Sequence, residues 1–451
     1  MNADEKFIHM TTTPVKPLIA SLAVPTIISM LVTTFYNMAD TFFVGKLNTS
    51  ATAAVGVVFS VMGIMQAIGF TFGNGTGTYI SQKLGEKRLK EAEIMAATGF
   101  FSALITGIII MVLGLIFLEP LSTALGATET ILPYAKAYLG IILVGAPAYT
   151  SSLVLNNLLR YQGSAAYAMV GIVSGAVLNI ALDPFFIFVC DMGIAGAALA
   201  TVISQYISLA VLWVQTYKGA SVKVKVMNFK PVFANVREII RRGFPSLCRQ
   251  GLASIATICL NYGAGIYGDA AIAAMSVVSR ISFFANSAMI GFGQGFQPVC
   301  GFNYGAKLYK RVKEGFYFCV TAGAVFLTVM GFISFIFAPH LIAVFRKEDA
   351  EVIKIGTAAL RFMSIAFPLN AWIVMCNMFL QTIGKAARAS LLAGARQGLF
   401  FVPLILILPR VFGLIGVEIC QMTSDILTFI VSIPLSIGII REFDTLKNET
   451  V

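Results

Sequence analysis

Long apolar segments recur along nearly the whole chain of 451 residues. About 20 apolar residues suffice to cross a bilayer as a helix, and the sequence predicts about twelve such helices. Apolar residues make up 58% of the chain and charged residues 12%, a composition that excludes a soluble globular protein. The predicted fold class is all-α integral membrane, with helices at 17–44, 51–80, 92–118, 131–158, 164–189, 193–217, 236–266, 271–300, 312–337, 351–382, 389–409 and 413–440.

Basic residues fall mainly in alternate predicted loops. This set of loops, together with both ends of the chain, includes Lys6, Lys83, Arg88, Arg160, Lys218, Arg242, Lys307, Arg388 and Arg441. Cytoplasmic loops carry an excess of Lys and Arg, so both termini are predicted to lie in the cytoplasm. The net charge of +11 is thereby assigned to membrane topology and not to nucleic-acid binding. We expect a multi-pass protein of the cytoplasmic, or inner, membrane.

The two halves of the sequence repeat each other. Pro25, Gly75 and Gly85 recur 220 residues later as prolines and glycines, and Asn156 recurs at 377. Because six spans separate equivalent points, the halves have the same orientation and are related by an axis along the membrane normal. The sequence therefore predicts two parallel six-helix bundles: a first lobe at 1–220, a cytoplasmic linker at 221–235 and a second lobe at 236–451.

Such an arrangement suits a transporter whose two bundles tilt around a central cavity. A channel would show a repeated filter, and a membrane enzyme would show a catalytic cluster near one face; the sequence has neither. The GxxxxGK[ST] phosphate-binding motif is absent, so ATP does not drive transport directly. We expect a protein that is not an enzyme, has no cofactor and uses H⁺ or Na⁺ as its coupling ion.

The acids inside the spans break the internal symmetry. Asp40 corresponds to Leu260, and Asp183 corresponds to Pro403, so both acids belong to the first half. Charged residues within spans are costly and usually functional. Nearby amides and hydroxyls complete a predicted cation or proton site, formed by Asp40, Asn156, Asn157, Asn179, Asp183 and Thr201. Oxygen ligands suit Na⁺, with Asp40, Asn179 and Asp183 as its candidate ligands, while two close carboxylates also suit a proton.

Structural explanations compete with this assignment. Asn179 and Asp183 could satisfy backbone groups freed by Pro184, and Asp40 could be an acid at the end of its helix. Asn156 could belong to the scaffold, because it has the counterpart Asn377.

A basic residue in mid-span distinguishes the second half. Arg280 replaces the equivalent Ser60, and could gate, bind an anionic group, hold the interface between lobes or reach the membrane surface. Arg249 lies close to the cytoplasmic end of its span and is expected to be an interface residue. Aromatic and methionine side chains suit a promiscuous binding surface. The candidate substrate or gating residues are Pro25, Tyr36, Asn37, Arg280, Phe283 and Trp372.

Three motifs resemble those of the multidrug and toxic compound extrusion (MATE) family. They are GTYISQKLGEKR, its counterpart GFNYGAKLYKR, and LNIALDP, which ends at Pro184. The resemblance covers essentially the whole chain and implies two six-helix bundles arranged in a V, with drug export driven by Na⁺ or H⁺. In the prokaryotic branch similar to the DNA-damage-inducible group, it places the coupling site on Asp40, Asn156 or Asn157, Asn179, Asp183 and Thr201. It also implies that the first helix bends at Pro25 when Asp40 is protonated.

Another branch of the family carries acids in its seventh and tenth spans. Here those spans offer Cys259, Asn261, Asn370 and Asn377, which argues against a second cation site. We expect a monomeric antiporter that exports amphipathic, often cationic compounds through the lipid bilayer. The alternative is a flippase for a lipid-linked oligosaccharide or another cell-envelope intermediate, which would need a more basic cavity.

Overall fold

The computed structural model describes residues 2–345 and 349–446, and this part of the chain is helical without strands. The predicted second lobe thus extends at 447–451 beyond the described residues. The first half consists of α1 (Ala3–Thr12), α2 (Val15–Gly45), α3 (Thr49–Gly85), α4 (Leu89–Ile116), α5 (Leu118–Ala124), α6 (Leu132–Val144), α7 (Ala146–Tyr161), α8 (Ala165–Pro184), a π-helical turn (Phe185–Val189) and α9 (Gly193–Gly219).

A short 3₁₀ turn (Val226–Asn228) lies between the halves. The second half consists of α10 (Phe233–Gly265), α11 (Asp269–Gly305), α12 (Tyr309–Ile336), α13 (Ala338–Phe345), α14 (Ala350–Thr382), α15 (Ala386–Gly394), a π-helical segment (Ala395–Phe400), α16 (Phe401–Phe412) and α17 (Leu414–Thr445).

The number of apolar spans is slightly lower than the twelve predicted. Within the described ranges, ten helices are long and apolar enough to cross a membrane, and the α6–α7 pair, bent by 47°, makes eleven. This bend falls at Gly145, just before Pro147, which cannot donate a backbone hydrogen bond. The remaining long helix is α10, whose first part carries charged residues, among them Glu238 and Arg242.

The predicted arrangement of two bundles is confirmed, and their contacts follow the internal repeat. A Cβ atom on Gly85 of α3 would collide with the carbonyl oxygen of Phe302, while one on Gly305 of α11 would collide with that of Gln82. Both members of each pair, 82 with 302 and 85 with 305, are 220 residues apart. The two bundles therefore meet across a pseudo-two-fold axis, where glycine permits close approach.

Both described ends of the chain lie on the side of the basic loops, which we call the basic side. The ring of Phe443 in α17 lies 5.0 Å from that of Tyr309, at the beginning of α12. The α1 helix lies against both bundles: Lys6 Nζ donates to the carbonyl of Gly219 at 2.6 Å, and Asn303 Nδ2 donates to the carbonyl of Met10 at 3.0 Å. Burial lowers the pKa of Lys6 to about 8.

Candidate functional site

Asp183 lies at the centre of a buried polar group between α8 and α9. The side chains of Asp183, Asn179 and Thr201 are all almost completely inaccessible. With the Asn179 amide nitrogen facing the carboxylate, Asn179 Nδ2 donates to Asp183 Oδ2 at 2.9 Å, and Thr201 Oγ1 donates to Asn179 Oδ1 at 3.3 Å. Asn179 lies one helical turn before Asp183, so both face α9. The structure thus brings together these three predicted residues.

The local sequence explains why α8 ends here. Pro184 is the last residue of α8, and the next five residues form a π-helical turn. Proline removes one backbone donor and disturbs the preceding turn of the helix, and π-helical turns are frequent at functional sites. Asn179 forms hydrogen bonds with Asp183 on its own helix and with Thr201 on the neighbouring helix. These side chains therefore do more than satisfy the backbone groups that Pro184 leaves free.

Asp40 joins this group from α2. The charges of Asp40 and Asp183 lie close enough to repel each other, and Tyr36, one turn before Asp40, interacts with both acids and with Thr201. One carboxylate oxygen of each acid is buried without a hydrogen-bond partner in the described part of the chain. Two such acceptors in a region of low dielectric favour an added proton or cation.

Two tyrosines belong to the same site, and the sequence analysis missed them. Tyr138 of α6 is fully buried, and it interacts electrostatically with Asp40, Tyr36 and Asp183. Tyr149 of α7 interacts with Tyr36. Each phenol offers both a hydrogen-bond donor and an acceptor. Isolated tyrosines in apolar helices gave no sequence signal, although Tyr149 corresponds to another polar residue, Asn370, in the repeat.

Asn156 makes the same bond as its counterpart in the second half. Its Nδ2 donates to the carbonyl of Ala168 at 3.3 Å, and Asn377 Nδ2 donates to the carbonyl of Ala389 at 2.8 Å. Both the donors and the acceptors are 221 residues apart. The repeated bond favours the alternative that Asn156 belongs to the scaffold.

We predict that Asn156→Ala and Asn377→Ala each lower the free energy of unfolding by about 0.5–1.5 kcal/mol, because each removes a side-chain hydrogen bond to a carbonyl of the neighbouring helix. Thermal unfolding of the purified protein would measure this loss at several pH values and Na⁺ concentrations. Both losses should be independent of pH and Na⁺, whereas Asn179→Ala should alter the response to either ion. A response to H⁺ or Na⁺ lost only in Asn156→Ala would return Asn156 to the coupling site.

Asn157 lies in a different cluster, together with an arginine that was predicted to lie in a loop. The prediction for Arg160 was wrong: this residue belongs to α7 and is 2% exposed. Its NH2 group donates to Asn157 Oδ1 and, at 3.1 Å, to Asn74 Oδ1 of α3. Its NH1 group donates to Gln297 Oε1 of α11 at 2.6 Å. The last bond crosses from the first bundle to the second.

The candidate substrate and gating residues differ in exposure. Asn37, Arg280 and Phe283 have exposed side chains, whereas Trp372 is partly buried and its ring contacts those of Phe316 and Phe429.

The α2 helix runs without interruption through Pro25, whose carbonyl accepts a hydrogen bond from Ser29 Oγ at 2.9 Å. The predicted bending switch at Pro25 stays a prediction.

In the second bundle, Glu418 and Asp425 are buried acids, and Asp425 is already paired. Asp425 of α17 is fully buried, and Arg396 Nε donates to its Oδ1 at 2.8 Å. Gln421 Nε2 and Asn370 Nδ2 also donate to this carboxylate, at 2.8 and 3.1 Å. Arg396, which the sequence analysis missed, therefore supplies a fixed positive charge where the first bundle has two unpaired carboxylate oxygens. The single, one-sided ion site stays a prediction.

Two packed helical bundles, one of which holds two acids that each have a carboxylate oxygen without a hydrogen-bond partner in the described residues, define a membrane transporter. A family model described as MatE matches residues 25–185 and again residues 245–407, so the chain belongs to the MATE family. The two matched segments begin at Pro25 and Pro245, the first pair of the predicted repeat.

Relatives and solved structures agree with this assignment. The multidrug export protein MepA of Staphylococcus haemolyticus is 27% identical over 416 residues, covering 92% of this chain and 91% of the relative. A MATE structure in complex with MaL6 has a TM-score of 0.92 at 26% identity and covers 97% of this chain and 99% of that one. An outward-facing multidrug resistance MATE transporter of the MOP superfamily has a TM-score of 0.90 at 27% identity, covering 97% and 100%.

Proposed function

We propose that this protein is a secondary antiporter that exports amphipathic, often cationic compounds in exchange for H⁺ or Na⁺. The observation that carries the proposal is the pair of acids in the first bundle, the partly buried Asp40 and the fully buried Asp183, each with one buried oxygen that lacks a partner in the described part of the chain. A pump needs a site whose occupancy changes the energy of one conformation relative to the other. An acid pair with unpaired oxygens is such a site, since a proton or a Na⁺ ion relieves the repulsion between the acids.

The bundle contacts support an outward-facing state. Close contacts join α2 to α11 and α3 to α10 in the halves of these helices nearer the basic side. There a Cβ atom on Gly295 would lie 2.6 Å from Ala23 Cα, and one on Gly75 would collide with the carbonyl oxygen of Ile239. If the basic side is cytoplasmic, as the distribution of Lys and Arg predicts, the structure is closed toward the cytoplasm. Both termini are then cytoplasmic.

Antiport follows if ion and drug weaken each other's binding. In the proposed cycle, the coupling ion enters from outside and occupies Asp40 and Asp183. Because Asp40 and Tyr36 lie on α2, occupancy changes how α2 packs against α8, and drug leaves to the outside. The bundles then tilt, the ion leaves to the cytoplasm, and the acids regain their charge. The relatives named as multidrug export proteins favour this function over the flippase alternative, and we propose a monomer in the cytoplasmic membrane.

Purified protein in proteoliposomes tests this function. Transport of a cationic dye should follow an imposed H⁺ or Na⁺ gradient, and we expect that one of the two suffices without ATP. Vesicles that contain the double variant Asp40→Asn, Asp183→Asn provide the control for passive leak. Equal dye transport by these vesicles and by the wild type would contradict the assignment of the coupling site. Transport that neither gradient drives would contradict antiport with either ion.

A further inference from the structure

Two arginines from different bundles meet where the bundles join. Arg160 belongs to α7 of the first bundle, and Arg249 belongs to α10 of the second. Arg160 NH2 donates to Asn74 Oδ1 at 3.1 Å, and Asn74 Nδ2 donates to Ser246 Oγ at 2.9 Å. Because Ser246 lies one turn before Arg249 in α10, these contacts bring the two positive charges into the same region, where they repel each other. Tyr161 interacts electrostatically with both, and its ring centroid lies 4.4 Å from the guanidinium carbon of Arg160. The helix contacts thus hold two like charges together inside the protein.

The described interactions of these arginines are with neutral oxygens. Arg160 donates to the amide oxygens of Asn74 and Gln297, and to the carbonyl of Gln294 at 3.2 Å. Arg249 NH1 donates to Asn377 Oδ1 at 3.3 Å. Neutral dipoles compensate a buried positive charge only in part, and buried charges are normally paired. In contrast, Arg396 of the second bundle is paired with a carboxylate. The pair Arg160–Arg249 therefore presents excess positive charge.

Arg249 is the accessible member of the pair. Its side chain is partly exposed, whereas Arg160 is buried with its Nε lacking a partner in the described part of the chain. On the basic side of Arg249 the bundles are joined, since Ser246 Oγ of the second bundle accepts a hydrogen bond from Asn74 Nδ2 of the first at 2.9 Å. The exposed part of the Arg249 side chain is therefore reached from the opposite side, through the space between the bundles.

We propose that Arg249, with Arg160 behind it, forms an anion site at the floor of this space, which binds the carboxylate or phosphate of an amphipathic ligand. Arginine suits this task because its planar group binds such anions through two parallel hydrogen bonds. An anion would also remove the repulsion between the two bundles at this point. The proposal rests on the proposed export function and adds that zwitterionic and anionic amphiphiles are among the substrates.

Two dyes that differ in a single charge test this proposal. Rhodamine 6G and rhodamine 19 share a cationic ring system, but the carboxyl group is an ethyl ester in the first and a free carboxylate in the second. Fluorescence polarisation with the purified full-length protein measures both affinities. We expect the wild type to bind rhodamine 19 about tenfold more tightly, as is typical of a charge-assisted hydrogen bond.

Three variants identify the residue responsible. Arg249→Gln should abolish the preference for rhodamine 19, and Arg249→Lys should retain part of it. Arg237→Gln, which removes an exposed charge from the same helix, should leave the preference unchanged. Equal binding of both dyes by the wild type would overturn the proposal even if Arg249→Gln fails to fold. A preference that persists in a folded Arg249→Gln protein would also overturn it.

Further readouts separate this site from the export function and identify the source of the anion. If cells export rhodamine 6G but the protein does not bind rhodamine 19 more tightly than rhodamine 6G, the export function stands and the anion site is wrong. If the protein binds neither dye, both proposals are wrong. Nanodiscs distinguish a lipid phosphate from a soluble ligand. Loss of the preference in phosphatidylglycerol but not in phosphatidylcholine supports an anion site filled by lipid, and its persistence in both supports a site for the soluble ligand.

Discussion

Asp183→Asn is expected to reduce the drug resistance of a sensitive host to its background level. Asparagine has nearly the same shape and still binds Asn179, but it neither carries a charge nor takes up a proton. The buried site then has the same charge throughout the cycle, and the coupling between ion and drug, typically about 5–150-fold in affinity, is lost. Growth of cells on a toxic cation, together with dye efflux from energised cells, measures this effect.

Asp191→Asn is the matched control for this substitution. Asp191 lies eight residues further along, beyond the π-helical turn, and has a φ of 52°, a conformation that asparagine tolerates well. This variant should keep full activity at the same expression level. Asp40→Asn should resemble Asp183→Asn, because the two acids share one site. Full resistance in either variant of the acid pair would refute the proposed coupling site.

Gly75→Ala is expected to prevent closure on the basic side. The added methyl group would meet the carbonyl oxygen of Ile239 and the backbone nitrogen of Gly243 in α10. Overpacking of this kind costs about 1–3 kcal/mol, and here it falls only on the closed state, because α3 and α10 belong to different bundles. The ratio of closed to open molecules should fall roughly 5–150-fold, and export should fall with it.

Cysteine labelling measures this shift directly. Ser246→Cys places a thiol at a buried position where α10 contacts α3, and Cys190, Cys248 and Cys259 would first be replaced by Ser to remove the accessible thiols. A membrane-impermeant maleimide added from the basic side should label the thiol of Ser246→Cys faster in combination with Gly75→Ala. Gly56→Ala is the control, since the same methyl group on the same helix α3 would meet no atom within 4 Å. Equal labelling of both variants would contradict the role assigned to this joint.

Much of the fold could be predicted from hydrophobicity and from the repeat. The number of apolar spans differs only at α10, whose charged beginning lowers its apolar character. It was also evident that Asp40 and Asp183 have no acidic counterparts in the second half, because the equivalent positions there are Leu260 and Pro403. Helical spacing then placed Asn179 beside Asp183. These inferences concern residues close in sequence or related by symmetry, for which spacing determines position.

The partners of these residues could not be predicted in this way. Tyr138 joins the acid site from another helix, and Arg396 reaches Asp425 from a π-helical segment that no pattern indicated. Arg160 was misplaced in a loop because a base near the end of an apolar segment is usually exposed to water. Its burial depends on amide oxygens of α3 and α11, which are distant in the chain.

The sequence by itself therefore determined the membrane class, the two parallel bundles and the absence of acids in the second half at the positions equivalent to Asp40 and Asp183. A membrane span needs about 20 consecutive apolar residues, and a duplicated chain repeats its residue pattern. The membrane class and the two bundles can therefore be recognised from the order of residues along the chain. Only the tertiary structure decided which oxygens of Asp40 and Asp183 remain without partners, where the bundles touch, and that Arg160 and Arg249 meet. Those properties arise from contacts between helices that are far apart in the chain, and the contacts between the bundles also depend on the conformation of the transporter.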